Sequence, residues 1–145
     1  AKKRDFKPFI NARLETIKEK ASFKNLFNFS RCIIIADGYY EWRLTGKIKD
    51  PYYLFRKDNK VLYFAGIFQN KEFSIITQTA SNNVSLVHHR QPVIINESDI
   101  NNYLDLKTES SKLLKNYTHP ELEFHKISKK VNNPINNNKF LIERT

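Results

Sequence analysis

Three clusters of residues in this sequence have the types and spacing to do chemistry. The first is Glu41, a lone carboxylate flanked by Tyr39, Tyr40 and Trp42 within D-G-Y-Y-E-W-R. A carboxylate crowded by aromatic rings and short of water has its charged form disfavoured, the environment that lets a Glu exchange protons near neutral pH. On a solvated hairpin the same residue would pair with Arg31 or Arg43, as most Glu residues near strands are solvated. The second cluster is His88, His89 and Arg90, in V-H-H-R-Q-P-V-I-I at 87 to 95. An imidazole is the natural proton-transfer group and a guanidinium the natural phosphate fork; surface decoration is the plainer alternative. The third is Asn11 with Arg13, which as residue types make no more than a helix cap and a surface charge.

Metal chemistry is not expected. In extended chain His88 and His89 face opposite sides and cannot both grip one ligand, and His119 and His125 lie far off in sequence. Cys32 is the one cysteine, so neither a disulfide nor a cysteine-based zinc site can be assembled. No cofactor is expected either.

Positioning these groups falls to short, aromatic-rich strands. Cys32 to Ala36 is a β-branched and apolar run, dense enough for a strand buried on both faces. Asp37-Gly38 is a turn signal behind it. If the chain stays extended past that turn, Tyr39 and Glu41 share one face while Tyr40 and Trp42 share the other. After a polar connection from Thr45 to Pro51, Pro51 to Phe55 and Val61 to Ala65 read as strands about an Asp58-Asn59 turn. Gly66 marks a bulge or a close backbone approach. Phe73 to Thr79 is another strand, and Ala80 to Ser85 is a polar helical or loop segment that delivers the histidines. Arg90-Gln91-Pro92 looks like a turn entering Val93-Ile94-Ile95.

The remaining elements are helical or irregular. A basic loop over residues 1 to 8 leads to Asn11, which caps a short helix carrying Leu14 and Ile17. Phe23, Leu26 and Phe27 at i, i+3, i+4 predict an apolar helical face. Helical segments follow Glu97, with Ile100, Tyr103 and Leu104 on one face and S-S-K-L-L-K-N-Y beyond. Glu121 to Ile127 is a last strand, and the asparagine-rich stretch after it is a loop.

Composition narrows the class. The 145 residues suit one domain, and 40% hydrophobic with 13% aromatic residues excludes a disordered chain. Twenty-five Lys plus Arg against 15 Asp plus Glu give a formal charge of +10, which attracts polyanions; lysines that simply face water explain the same number. No apolar run approaches the roughly 18 residues needed to span a bilayer, and no signal-peptide pattern opens the chain. A soluble, cytoplasmic protein is expected. The absence of any Met, with Ala1 first, raises the expectation that the sequence is a piece of a longer protein.

Four stretches, in order, resemble the SOS-response-associated peptidase (SRAP) family: I-N-A-R-L-E-T at 10 to 16, R-C-I-I-I-A-D-G-Y-Y-E-W at 31 to 42, F-A-G-I-F at 64 to 68 and V-H-H-R-Q-P-V-I-I at 87 to 95. P-Y-Y-L-F, I-I-T-Q-T-A-S-N and K-K-V-N-N-P are weaker echoes. The resemblance implies an α+β fold, antiparallel strands curling into a barrel-like body flanked by short helices. It also implies protection of abasic sites in single-stranded DNA during DNA repair, by an N-terminal cysteine that joins the exposed sugar aldehyde as a thiazolidine. On that basis Asn11 orients the cysteine, Glu41 shuttles the proton of the attacking amine, and His88 assists opening of the deoxyribose ring. Arg13 and Arg90 grip DNA phosphate, and Thr77, in the I-I-T-Q-T echo, joins the DNA-binding set. The family usually has Met where this chain has Gln91. Its cysteine stands several dozen residues before the Asn-Ala-Arg motif, so residues 1 to 145 are expected to be a single domain that lacks its N-terminal portion.

Cys32 cannot replace that cysteine, because thiazolidine formation needs an amine and a thiol free on adjacent carbons. Two other functions stand beside the crosslinking one. A noncovalent single-stranded DNA-binding module would use basic and aromatic residues to track the strand. A thiol peptidase limited to self-processing would use His88 as base. A monomer without membrane or metal partners is expected in each case.

Overall fold

The computed structural model describes residues 11–109, 113–114 and 117–145. The expected loop over residues 1 to 8, and much of S-S-K-L-L-K-N-Y, lie outside the described residues. In chain order the elements are β1 (Ala12–Arg13), α1 (Ala21–Phe29), β2 (Arg31–Ala36), β3 (Gly38–Thr45), β4 (Ile48–Arg56), β5 (Leu62–Gln69), β6 (Glu72–Thr79), β7 (Arg90–Pro92), α2 (Ile100–Leu104) and β8 (Leu122–Lys126). Single 3-10 turns occupy Asn82–Leu86, Glu97–Asp99, Lys129–Asn132 and Lys139–Ile142. The fold is mixed α+β, mostly sheet. Among the described residues no helix is long and apolar enough to cross a membrane.

Two compact units divide the described residues: one takes those up to Ile35 with Tyr63–Gln78 and Pro92–His119, the other Ala36–Leu62, Thr79–Gln91 and Pro120–Thr145. In the first, the strands follow the order β1-β6-β5-β2. Backbone pairing decides how it begins. The Ala12 N–H donates to Ser74 Oγ at 3.2 Å and the Leu14 N–H to the Thr77 carbonyl at 2.8 Å, so Ala12 and Arg13 run parallel to β6. The helix expected from Asn11 is therefore replaced by a short strand and a series of tight turns, with Ile17 still buried.

The predicted face of α1 is partly met, since Phe27 is fully buried and Phe23 and Leu26 pack against the core. That core gathers Ile17, Ile67, Ile76, Val93, Ile95 and Tyr103. The strand expected to be buried on both faces is only half so: Ile35 in β2 is 65% exposed. Gly66 is a close approach, where a Cβ would lie 2.3 Å from Ile34 Cδ1. Arg31, at the start of β2, is buried, and its guanidinium donates to the carbonyls of Phe27, Asn28, Tyr103 and Asp105. It thereby caps the C-terminal turns of α1 and α2 together.

The second unit is built on a three-stranded antiparallel sheet in the order β3-β4-β8. Its hairpin turns at Gly46, in the left-handed region at φ +62°, so the strands reach further into the Thr45 to Pro51 connection than its polar residues indicate. Gly38 opens β3 directly under a ring: a Cβ there would sit 2.5 Å from the Tyr53 ring and the Leu54 carbonyl. The asparagine-rich stretch is held by its own side chains. Asn133 Oδ1 accepts from the Ile135 N–H, Asn138 Oδ1 from the Phe140 N–H, and Asn136 Nδ2 donates to the Lys130 carbonyl.

Among the described residues the sheets are not closed into the expected barrel. The strands make separate sheets whose orders, β1-β6-β5-β2 and β3-β4-β8, do not return to their first strand. The turn at Asp58-Asn59 is present, with Asn59 at φ 59°, but β4 and β5 on either side of it do not pair; each joins a different sheet. Arg90-Gln91-Pro92, expected as a turn, is itself strand β7.

Candidate functional site

In the second unit, β3 continues extended past Gly38, so Tyr39 and Glu41 share one face as the alternation requires. The chain reaches the other half of the site by the 3-10 turn at Asn82–Leu86, after which the Val87 and His88 N–H groups both donate to the Val84 carbonyl. That turn sets the His88 imidazole opposite Glu41, with His88 Nδ1 3.8 Å from Glu41 Oε2. Both side chains are half-buried, 30% and 27% exposed. Glu41 Oε1 accepts the Trp42 N–H at 3.1 Å. The other partner weighed for this carboxylate, Arg31, is committed to backbone carbonyls in the first unit.

His88 Nδ1 lies against the Arg90 backbone, 3.1 Å from its nitrogen and 3.3 Å from its carbonyl oxygen. The shorter of these contacts, the Arg90 N–H donating to Nδ1, goes with a neutral ring protonated on Nε2, and the carbonyl contact with the opposite tautomer. His88 and His89 do not face opposite sides as extended neighbours would: the chain turns here, and their rings stack with centroids 4.4 Å apart and planes at 29°. Burial, and next the charge of Glu41, push the Tyr39 phenol above its ordinary range. Tyr39 is thus a neutral wall behind the carboxylate.

Glu41, His88 and His89 line an open groove of about 1060 Å³ whose other walls include Trp42, Arg43 and Lys49. The far side is the asparagine-rich stretch: Trp42 Nε1–H donates to Asn132 Oδ1 at 2.7 Å. Exposed Leu44 and Leu86 also line the groove, so it offers cations and apolar surface together. Arg90 lies in the same unit, its guanidinium 3.4 Å from Thr79 Oγ1.

The remaining sequence-predicted residues fall in the first unit. Arg13 is exposed on β1 in register with Thr77 on β6, which puts a guanidinium and a hydroxyl on one sheet face. Asn11 is exposed beside them in sequence. Among the described residues no group of three or more His, Cys, Asp or Glu is placed to hold a metal ion.

Sequence reasoning missed two supports. Gln91 is buried and its Oε1 accepts the Ser81 N–H at 3.0 Å, closing the base of the segment that carries His88. Asn83 Nδ2 donates to the Leu122 carbonyl at 2.8 Å, tying the 3-10 turn to β8. A single Gln or Asn gives no sequence signal for such a role, since both are ordinarily exposed.

A family model described as SOS response associated peptidase (SRAP) matches residues 1–134. The chain belongs to the SRAP family. Among curated SRAP relatives, the abasic site processing protein YoqW of Bacillus subtilis is 34% identical over 148 residues, covering 92% of this chain and 66% of YoqW. The abasic site processing protein HMCES of Gallus gallus is 31% identical over 158 residues, 87% of this chain and 47% of HMCES. A crystal structure of a protein from Bacteroides thetaiotaomicron matches with a TM-score of 0.82 at 28% identity, over 93% of this chain and 65% of that one. This SRAP chain therefore spans just under two thirds of the length of YoqW and under half of HMCES. Where the family resemblance puts Met, its Gln91 is buried and hydrogen-bonded, so the polar substitution is accommodated.

Proposed function

We propose that this chain belongs to a protein that processes abasic sites in single-stranded DNA by covalent crosslinking. The observation that carries the reading is the facing of Glu41 and His88 across 3.8 Å in a basic groove, within a chain whose curated relatives are named abasic site processing proteins. The nucleophile in this reading is the N-terminal cysteine that the family resemblance implies.

In the proposed reaction His88 donates a proton to the ring oxygen of the abasic deoxyribose, whose C1′ hydroxyl proton passes to water, and the aldehyde is exposed. The cysteine amine attacks C1′. One N–H proton passes through Glu41 to the aldehyde oxygen, giving a carbinolamine, and Glu41 then carries the second N–H proton to that hydroxyl, so that water leaves and a neutral Schiff base forms. The thiol then adds to the imine carbon, the carbon–sulfur bond closes the thiazolidine, and the thiol proton ends on nitrogen. Asn11 orients the cysteine, and Arg13, Thr77 and Arg90 hold phosphate oxygens.

A noncovalent single-strand-binding role is favoured by one feature, the pairing of Arg43 and Lys49 with exposed Leu44 and Leu86 along the groove, which suits phosphates and bases without any cysteine. A peptidase role built on Cys32 has the geometry against it. That thiol lies half-buried in β2, and burial pushes its pKa up, away from the nucleophilic thiolate.

The test incubates a single-stranded oligonucleotide carrying one abasic site with this chain and with a version extended to begin with cysteine. A heat-stable shifted band on a denaturing gel with the extended version alone is expected. Salt-sensitive binding by both versions without a covalent band would replace the crosslinking reading by the noncovalent one.

A further inference from the structure

We propose that His89 is a positioning residue that holds the His88 imidazole in one orientation and one tautomer. Imidazole rotation about the terminal side-chain torsion is broad and roughly two-fold, and His88 lines an open groove with its side chain 30% exposed. Left to itself such a ring samples flipped orientations and both neutral tautomers. Two contacts on His88 oppose this. On the ring edge Nδ1 meets the Arg90 backbone, its N–H at 3.1 Å and its carbonyl at 3.3 Å, and on the ring face His89 stacks at 4.4 Å with planes at 29°. A flip of His88 would bring a carbon to the Arg90 N–H and tilt the ring off its neighbour.

His89 is itself anchored. Its carbonyl accepts the Ala80 N–H at 2.9 Å, and the buried Gln91 side chain holds the adjacent Ser81 N–H. The ring that braces His88 therefore stands on backbone fixed at both ends of the segment. Exposed and bonded to nothing through its side chain that would require an imidazole, His89 acts by ring area, so another flat ring serves in its place.

The functional consequence rests on the proton-transfer role proposed for His88, but the positioning does not. It is read on the full chain by long-range proton–nitrogen-15 spectra of the His88 ring in the wild type, His89→Ala and His89→Phe. The wild type shows the Nε2–H tautomer. His89→Ala shifts the tautomer ratio toward Nδ1–H by about 2- to 10-fold, the worth of one aromatic contact, and His89→Phe restores it. An unchanged ratio in His89→Ala, or no restoration in His89→Phe, overturns the proposal; if His89→Ala does not fold, His89→Gln, polar but without a ring, is read by the same standard. Abasic-site crosslinking by the cysteine-extended chain should follow the same order, slowed in His89→Ala and recovered in His89→Phe. A tautomer pattern as expected with no crosslinking even in the wild type supports the positioning and overturns the proposed reaction instead.

Discussion

Glu41 Oε2 stands 3.8 Å from His88 Nδ1, within ion-pair reach of a protonated imidazole but beyond hydrogen-bond length. A neutral ring protonated on Nε2 has no proton to offer there, because Nδ1 then accepts the Arg90 N–H. In the protonated ring Nδ1–H faces the Arg90 carbonyl at 3.3 Å with the Glu41 charge 3.8 Å away, and the Arg90 N–H loses its acceptor.

Removing either member should slow the proposed crosslinking without abolishing DNA binding. Glu41→Gln and His88→Gln in the cysteine-extended chain are each expected to lower the rate by about 10²- to 10⁴-fold, the usual span for a positioned acid or base. Single-turnover gel kinetics measure the rate, and fluorescence anisotropy the affinity. A rate unchanged in Glu41→Gln would remove the carboxylate from the mechanism.

Arg43 and Lys49 line the groove without belonging to the motifs of the family resemblance. If DNA lies there, Arg43→Ala and Lys49→Ala should each weaken binding of any single strand alike and reduce the slope of log K against log salt by about 1. A salt titration of oligonucleotide binding shows this. An unchanged slope in both variants would place the strand elsewhere.

Arg31 is a stability element. Its guanidinium, with its pKa lowered by burial, supplies donors to carbonyls of Phe27, Tyr103 and Asp105 within 2.7 Å. Arg31→Met leaves those carbonyls without donors and should cost about 3 kcal/mol, with Arg31→Lys recovering only part because an ammonium lacks the fork. Denaturant unfolding monitored by circular dichroism is the measurement; equal stability of Arg31→Met and wild type would refute the capping role.

His119 gives stability a pH dependence of definite sign. Burial lowers its pKa below the ordinary value of 6.5, so the unfolded chain binds the proton more readily than the folded one. Its contribution is fully present above about pH 6.5 and is lost as the pH falls from there toward the lower folded pKa. Protonation also displaces the Gln78 side-chain amide, which contacts His119 Nε2 at 3.1 Å. Thermal melts across pH 5 to 8 should fall less steeply on the acid side in His119→Gln than in the wild type; parallel curves would contradict the assignment.

Much of this protein was already legible in its residues. Period-2 alternation placed Tyr39 with Glu41, 3.6-residue spacing placed Phe27 in the core beneath α1, and Gly66 announced a close approach, because each is a property of a few neighbouring residues. The ordered motifs carried the family resemblance. Tertiary structure alone decided the rest, because a backbone donor does not encode which distant acceptor will satisfy it. Ala12 and Arg13 became strand because the Ala12 and Leu14 N–H groups bond to Ser74 and Thr77, and β4 and β5 left the Asn59 turn for different sheets. The turn after Val84 stacked two histidines that an extended chain would have separated. The chemical types of Glu41 and His88 are written in the sequence; the 3.8 Å between them exists only once a 3-10 turn and a strand about 45 residues apart in the chain pack in one unit.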